Sequence, residues 1–239
     1  MKIFAIDTSS IVATCAVMDD EKLIGEYTIN HKRTHSQKLM PMIKELMESC
    51  ELKIDDIDVF AASVGPGSFT GLRIGIATIK ALAHTVDKPV VGVPTIDALA
   101  YNIPYFDGLI VPIMDARRNR VYTGIYHWER NKFIIDKNQD VLEIDELIDI
   151  LKKRKEFIIL SGDAVHIYRD KIIEVLGQKV IFAPKHLNMP RSSSVAELAM
   201  EKYRQGEYQS FYDLVPEYLR KSQAEREYDK KNSLGECNG

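Results

Sequence analysis

The chain has 239 residues, of which 45% are apolar and 28% charged, and 32 Lys and Arg stand against 35 Asp and Glu for a net charge of -3. Those values exclude a disordered chain, which needs low hydrophobicity and high net charge. They also exclude a stapled mini-domain, because a chain this long buries roughly 70–75% of its unfolded surface without disulfides or metals. A free-standing nucleic-acid binder is usually basic, so any RNA contact must be a local patch or belong to a partner.

Cys15, Cys50 and Cys237 are odd in number, widely spaced and in no CxxC pattern, which fits a reducing compartment. The apolar run Met1–Ile6 meets Asp7 and is too short for a signal core. No stretch reaches the roughly 18 apolar residues of a membrane span. A soluble cytoplasmic protein is expected.

Taken in order, Lys2–Thr8, Ala13–Met18 and Leu23–Ile29 read as strands, with a turn at Asp19–Lys22. Ser36–Cys50 reads as a helix capped by Thr34 or Ser36. Asp58–Val64 is a strand, Gly65–Phe69 a loop, Thr70–Thr85 a helix, Pro89–Val93 a strand and Thr95–Tyr101 a helix. Asn102–Gly108 is a hinge. Beyond it, Leu109–Met114, Arg120–His127 and Phe133–Asp136 are strands, Ile144–Lys152 a helix and Phe157–Leu160 a strand. Ala164–Leu176 is a helix, Val180–Phe182 a strand, and Ser194–Tyr203 a helix capped by Ser192 or Ser193. The two halves share one plan, strands first and then alternating helix and strand. An α/β molecule of two similar lobes with a cleft between them follows. The expected divisions are residues 1–104, 105–224 and a polar, disordered tail at 225–239.

Five features are candidates for chemistry. Gly65-Pro66-Gly67-Ser68-Phe69-Thr70-Gly71-Leu72-Arg73 joins an apolar strand to an apolar helix, with Ser68 or Thr70 as cap. It lacks the Gly-Lys-[Ser/Thr] of a P-loop, and it reads either as a tight turn or as an anion site at a helix start. Asp7-Thr8-Ser9-Ser10 ends the first strand, and Asp115-Ala116-Arg117-Arg118 ends its counterpart in the second half. Each is a capped turn or an anion contact. His31 and His35 have HxxxH spacing but precede the helix and lack a third ligand, so no metal site is expected. Lys152-Lys153-Arg154-Lys155 is a basic run that suits a solvated helix end.

The helix after Gly65–Arg73 gathers Arg73, Lys80 and His84 on one narrow edge and is apolar around most of the rest. It therefore reads as buried on two sides, and Gly71 and Gly75 would let another helix come close. In the helix before it, Leu39, Ile43, Leu46 and Cys50 form a core stripe flanked by Met40, Met42 and Met47. Both helices are expected at an oligomeric interface.

These segments together resemble the TsaB (YeaZ) family over nearly the whole chain. The matching stretches are Ile6–Ser9, His35–Pro41, Gly65–Arg73, Asp115–Arg117 and Pro216–Glu225, and the third is the most specific. The resemblance implies an actin-like, sugar-kinase-like fold of two duplicated lobes. It implies a role in making threonylcarbamoyladenosine on tRNAs that read codons beginning with adenine. In it, the chain is a non-catalytic scaffold for the catalytic paralogue TsaD, joined by the ATPase TsaE, with tRNA reached through the complex and a homodimer formed when the partner is absent.

The interface implied comprises His35, Leu39, Met40, Met42, Ile43, Met47, Phe69, Thr70, Leu72, Arg73, Ile76, Ile79 and Lys80. Asp7, Thr8, Ser9, Asp115 and Arg117 would make any anion or nucleotide contacts. No cofactor is expected to bind this chain tightly, and ATP or ADP would sit at the interface with TsaD. TsaD-like proteins carry two metal-binding histidines after the strand matching Pro89–Val93, where this chain has Thr95 and Leu99. Neither is a usual metal ligand, so the chain resembles the inactive member. An independent ATPase or small-molecule kinase and a metal-dependent protease are the alternatives.

Overall fold

A computed structural model describes residues 1–30 and 35–220, with the backbone alone for His35. The expected tail at 225–239, the cap at Thr34, Cys237 and the His31 half of the HxxxH pair lie outside the described residues. In the first lobe β1 (Lys2–Asp7), β2 (Val12–Asp19), β3 (Leu23–Asn30), α1 (His35–Ser49), β4 (Val59–Gly65), α2 (Phe69–Val86), β5 (Val90–Pro94) and α3 (Thr95–Tyr101) follow one another. The second continues with β6 (Leu109–Asp115), β7 (Arg120–Glu129), β8 (Lys132–Glu143), α4 (Ile144–Lys152), β9 (Ile158–Ser161), α5 (Val165–Leu176), β10 (Val180–Phe182) and α6 (Ser192–Arg204).

Each lobe holds one five-stranded sheet, ordered β3-β2-β1-β4-β5 and β8-β7-β6-β9-β10. The two orders are the same when counted from each lobe's first strand. In both, the first three strands run antiparallel as a meander and the last two join parallel through helical crossovers. The expected duplication is therefore present as topology.

Strand side chains alternate between faces, and β1 shows the consequence. Phe4 and Ile6 enter a core with α1 and α2, while Ile3 and Ala5 enter a second core with α6. In the other lobe Val111 and Ile113 of β6 pack with α4 and α5, whereas Ile110 and Met114 pack against α3. Burial on both faces explains why these strands are continuous apolar runs rather than alternating ones.

The last helix of each half crosses to the other sheet. Ile96, Leu99 and Ala100 of α3 pack with Ile110, Met114 and Tyr126 of the second lobe. Val195, Ala196 and Ala199 of α6 pack on the first sheet. By packing, α6 together with Phe211 and Leu214 joins the first lobe, although these residues lie in the 105–224 stretch expected to form the second.

Three local expectations also change. The strand placed at Phe133–Asp136 extends to Glu143, because β7 offers a ladder partner for the polar stretch as well. Ser36 lies inside α1 rather than capping it. The helix α6 starts at Ser192 with Arg191 at its cap position and no side-chain cap of its own. Its first N–H groups are met from the sheet instead. Thr14 Oγ1 accepts from Ser192 at 3.3 Å, and Glu26 Oε1 accepts from Ser193 at 2.9 Å. Arg191 holds the other oxygen of Glu26 at 2.6 Å. A cap supplied by another element leaves no local signal.

Candidate functional site

The Gly65–Arg73 segment packs on the turn after β1. Ser68 caps α2, its Oγ accepting the Gly71 N–H at 3.2 Å. A Cβ at Gly67 would lie 2.3 Å from the Ser9 carbonyl oxygen, one at Gly71 2.0 Å from that of Thr8, and one at Gly75 2.3 Å from Thr8 Oγ1. Glycine at every fourth position therefore admits the Thr8–Ser9 turn rather than a second helix, which corrects the expectation for Gly71 and Gly75. The Thr8 hydroxyl donates to the Gly71 carbonyl at 2.8 Å, and the Ser68 N–H donates to that of Ser9 at 2.6 Å.

Asp7 lies beneath this contact, 1% exposed. Its Oδ1 accepts the Ser9 N–H and hydroxyl at 2.8 and 2.7 Å, and its Oδ2 accepts the Ser63 hydroxyl. Thr8 is buried as well. Of the residues expected to contact an anion, Asp7 and Thr8 thus brace the turn, while Ser9, Asp115 and Arg117 line one cavity between the lobes.

That cavity has a volume of about 580 Å³. Ser9, Ser10, Gly67 and Ser68 line it from the first lobe, Asp115, Arg117 and Asp163 from the second, and Arg220 lines it as well. Its size falls in the small-molecule range of roughly 300–1,000 Å³. The Asp115 N–H donates to Asp163 Oδ1 at 2.9 Å, and its carboxylate takes the Arg117 N–H at 2.7 Å and guanidinium at 3.2 Å. Arg117, Arg118 and Asn119 all adopt left-handed backbone, at φ 64°, 57° and 58°. Such a run is costly for arginine, and it turns β6 into β7 within the cavity wall.

The cationic edge of α2 grips residues 211–218, which run back along the helix from its end to its start. The His84 ring lies edge-on to Phe211 at 5.0 Å. Lys80 Nζ donates to the carbonyls of Tyr212 and Leu214 at 3.0 and 3.1 Å. Arg73 Nε donates to the Tyr218 hydroxyl at 2.9 Å, and Phe69 stacks on the Tyr218 ring at 4.4 Å. This C-terminal strap covers one flank of α2. Its Phe211 and Leu214 side chains enter the first core.

The expected interface set divides accordingly. Leu39, Met42, Ile43, Met47, Leu72, Ile76 and Ile79 are buried in the chain's own core. Their burial corrects the expectation that they face a partner. Phe69, Arg73 and Lys80 are engaged by the strap. Met40, at 51% exposure, and Thr70 face outward, and the side chain of His35 lies outside the described residues. The outward strip of α2 consists of Thr70, Ile74, Ala77, Thr78, Ala81 and Thr85, with no charge among them, and Thr70, Ala77, Ala81 and Thr85 are exposed. A solvated helix face is ordinarily charged or polar. The sequence marks the Arg73–Lys80–His84 edge and, within the matching stretch Pro216–Glu225, Tyr218, but carries no signal for Phe211 and Leu214, which lie more than a hundred residues further on.

Thr95 and Leu99 are 0% and 1% exposed in α3, within the packing between the lobes. Asp97, two residues from each, accepts the Tyr126 hydroxyl at 2.8 Å, and burial pushes its carboxyl up. Among the described residues no three His, Cys, Asp or Glu side chains are grouped to hold a metal. No described helix is long and apolar enough to cross a membrane.

Residues 22–228 match the family model of TsaD, tRNA N6-adenosine threonylcarbamoyltransferase. The tRNA threonylcarbamoyladenosine biosynthesis protein TsaB of Bacillus subtilis is 35% identical over 95% of this chain and 98% of its own length. Its Escherichia coli namesake is 24% identical over 94% of this chain and 96% of its own. Among solved structures, YeaZ from Pseudomonas aeruginosa superposes with a TM-score of 0.76 at 23% identity, covering 91% of this chain and 99% of that one. Component A of an Acidaminococcus fermentans (R)-2-hydroxyglutaryl-CoA dehydratase does so at 0.51 and 11% identity, covering 85% and 99%. The fold is the actin-like, sugar-kinase-like one.

Proposed function

The chain belongs to the TsaB family of tRNA threonylcarbamoyladenosine biosynthesis proteins, and we propose that within that pathway it is a non-catalytic scaffold. In this reading it binds and activates a TsaD-type threonylcarbamoyltransferase. The observation that carries it is the outward strip of α2. Ala77 and Ala81 are small, exposed and one turn apart, and no charged side chain interrupts the strip between Thr70 and Thr85. Small residues let a partner helix approach closely, and the absence of charge removes the desolvation cost of covering the face. Met40 on α1 adds an adaptable apolar side chain.

The non-catalytic part of the reading is supported by α3. Where the resemblance places the paralogue's histidine pair, Thr95 and Leu99 are sealed between the lobes. The same α2 strip would pair two copies of the chain when the partner is absent. A TsaE-type ATPase would join the assembled pair, and nucleotide would sit at the shared interface.

The test is co-elution of the chain with its cognate TsaD-type protein. Ala77→Arg and Ala81→Arg are expected to abolish it while leaving the melting temperature within about 2 °C of the parent, as for surface substitutions within ±0.5 kcal/mol. Unchanged co-elution would move the interface off α2.

A further inference from the structure

The basic run after α4 is larger than a helix end requires. The helix ends at Lys152, with Lys153 at its cap. Its terminal Leu151 carbonyl is already taken by Lys179 Nζ and by the Arg154 N–H, each at 3.1 Å. Arg154 is engaged with Asp136 at 3.7 Å and Glu156 at 3.9 Å. Lys152, Lys153 and Lys155 are exposed and have no ion-pair partner among the described residues. The acids nearest in sequence, Asp149 and Glu156, leave them unbridged; Glu156 instead accepts the Lys155 N–H at 2.7 Å.

Phe157 stands two residues beyond Lys155 with 63% of its surface exposed. Its backbone is fixed, because the Phe157 carbonyl accepts the Leu109 N–H at 2.8 Å. Gly108 lets that carbonyl and the Phe106 ring close in, to 2.4 and 2.7 Å from where a Cβ would stand. An exposed aromatic within five residues of three exposed lysines that have no ion-pair partner among the described residues is the combination that binds single-stranded nucleic acid. Cations meet phosphates there, and a ring stacks on an unpaired base.

We propose that Lys152, Lys153, Lys155 and Phe157 form a direct RNA contact on the second lobe, touching the tRNA substrate of the complex. This rests on the pathway reading above. An overall charge of -3 does not oppose it, because screening limits charge interactions to about 8–10 Å at working salt.

The experiment titrates labelled tRNA with the reconstituted complex across a salt series and uses the chain alone if no complex forms. The Lys152→Ala, Lys153→Ala, Lys155→Ala triple variant is expected to bind roughly tenfold or more weakly at low salt. Its slope of log affinity on log salt should be shallower by about 2–3, at roughly 0.7–0.9 for each of three lost phosphate contacts. Phe157→Ala is expected to weaken binding about fivefold or more with the slope unchanged, as loss of base stacking requires. Parental affinity and slope in a folded triple variant would overturn the proposal. So would loss of co-elution with the TsaD-type protein at an unchanged RNA slope, which would make the patch a contact for an acidic protein face. Dependence of threonylcarbamoyl transfer on the chain, measured separately, decides the pathway reading and leaves the slope to decide the patch.

Discussion

The ring of Tyr218 stacks on that of Phe69 at 4.4 Å and an interplanar angle of 18°, tying the strap to the first turn of α2. The strap therefore positions the start of a helix whose outer strip is the proposed partner surface, and it leads to Arg220, which lines the interlobe cavity.

Removing that stack should be costly but not fatal. Tyr218→Ala loses an aromatic pair and the hydrogen bond from Arg73, together about 1–2 kcal/mol. At roughly 2–4 °C per kcal/mol for a chain of this size, calorimetry should show a drop of a few degrees. Tyr218→Phe keeps the ring and should lose less.

The contact between α2 and the Thr8 turn predicts a ranked pair of glycine effects. Gly71→Ala places a Cβ against backbone, the Thr8 carbonyl, and should cost about 3 kcal/mol or more, because neither element can yield. Gly75→Ala meets the Thr8 side chain instead. Thr8→Ala should therefore partly rescue Gly75→Ala and leave Gly71→Ala unrescued, a non-additivity that urea melts of the double variants would read.

The two sides of α2 should respond differently to charge. Ile76 is 4% exposed, so Ile76→Asp buries an unpaired carboxylate and should unfold the chain. Ala81→Arg should leave it folded and block assembly. Circular dichroism and co-elution, run on both variants, separate the outcomes.

Asp97 predicts a pH dependence of stability. Burial raises its pKa above the ordinary carboxylate value, so the folded protein holds this proton at pH values where the unfolded chain has released it. Its contribution is fully present below about pH 4 and is lost as pH rises through the raised value. Asp97→Asn keeps an acceptor for the Tyr126 hydroxyl and removes the charge. Thermal melts should show a higher melting temperature at neutral pH and a flatter profile on the acid side.

Cys15 is 0% exposed, and burial pushes its thiol up to about 12. The thiolate is the reactive form. Iodoacetamide at pH 8 should leave Cys15 unmodified in the native chain, by peptide mass mapping, and modify it once the chain is unfolded.

Much of the fold was legible because its signals are local. The runs at Ile3–Ile6 and Val111–Ile113 mark two-faced burial, and Gly65–Arg73 marks the strand-to-helix turn. The strap, the Glu26 and Thr14 cap of α6, and the crossing of α3 and α6 between sheets were not legible, because each joins residues far apart in the chain. The site was half legible for the same reason. The charged edge of α2 stood out at helical spacing, yet whether Ile76 or Ala77 faces outward depends on where the sheet and the strap lie. Periodicity finds an apolar helix, and only packing says which part of its circumference the chain itself uses.

The central claim is tested most directly by threonylcarbamoyl transfer to tRNA, using the cognate TsaD-type and TsaE-type proteins with the adenylate-forming enzyme, with and without this chain. The scaffold account predicts transfer that depends on the chain, no transfer by the chain alone, and no transfer when the Ala81→Arg variant replaces it. Equal transfer with the chain left out would contradict it.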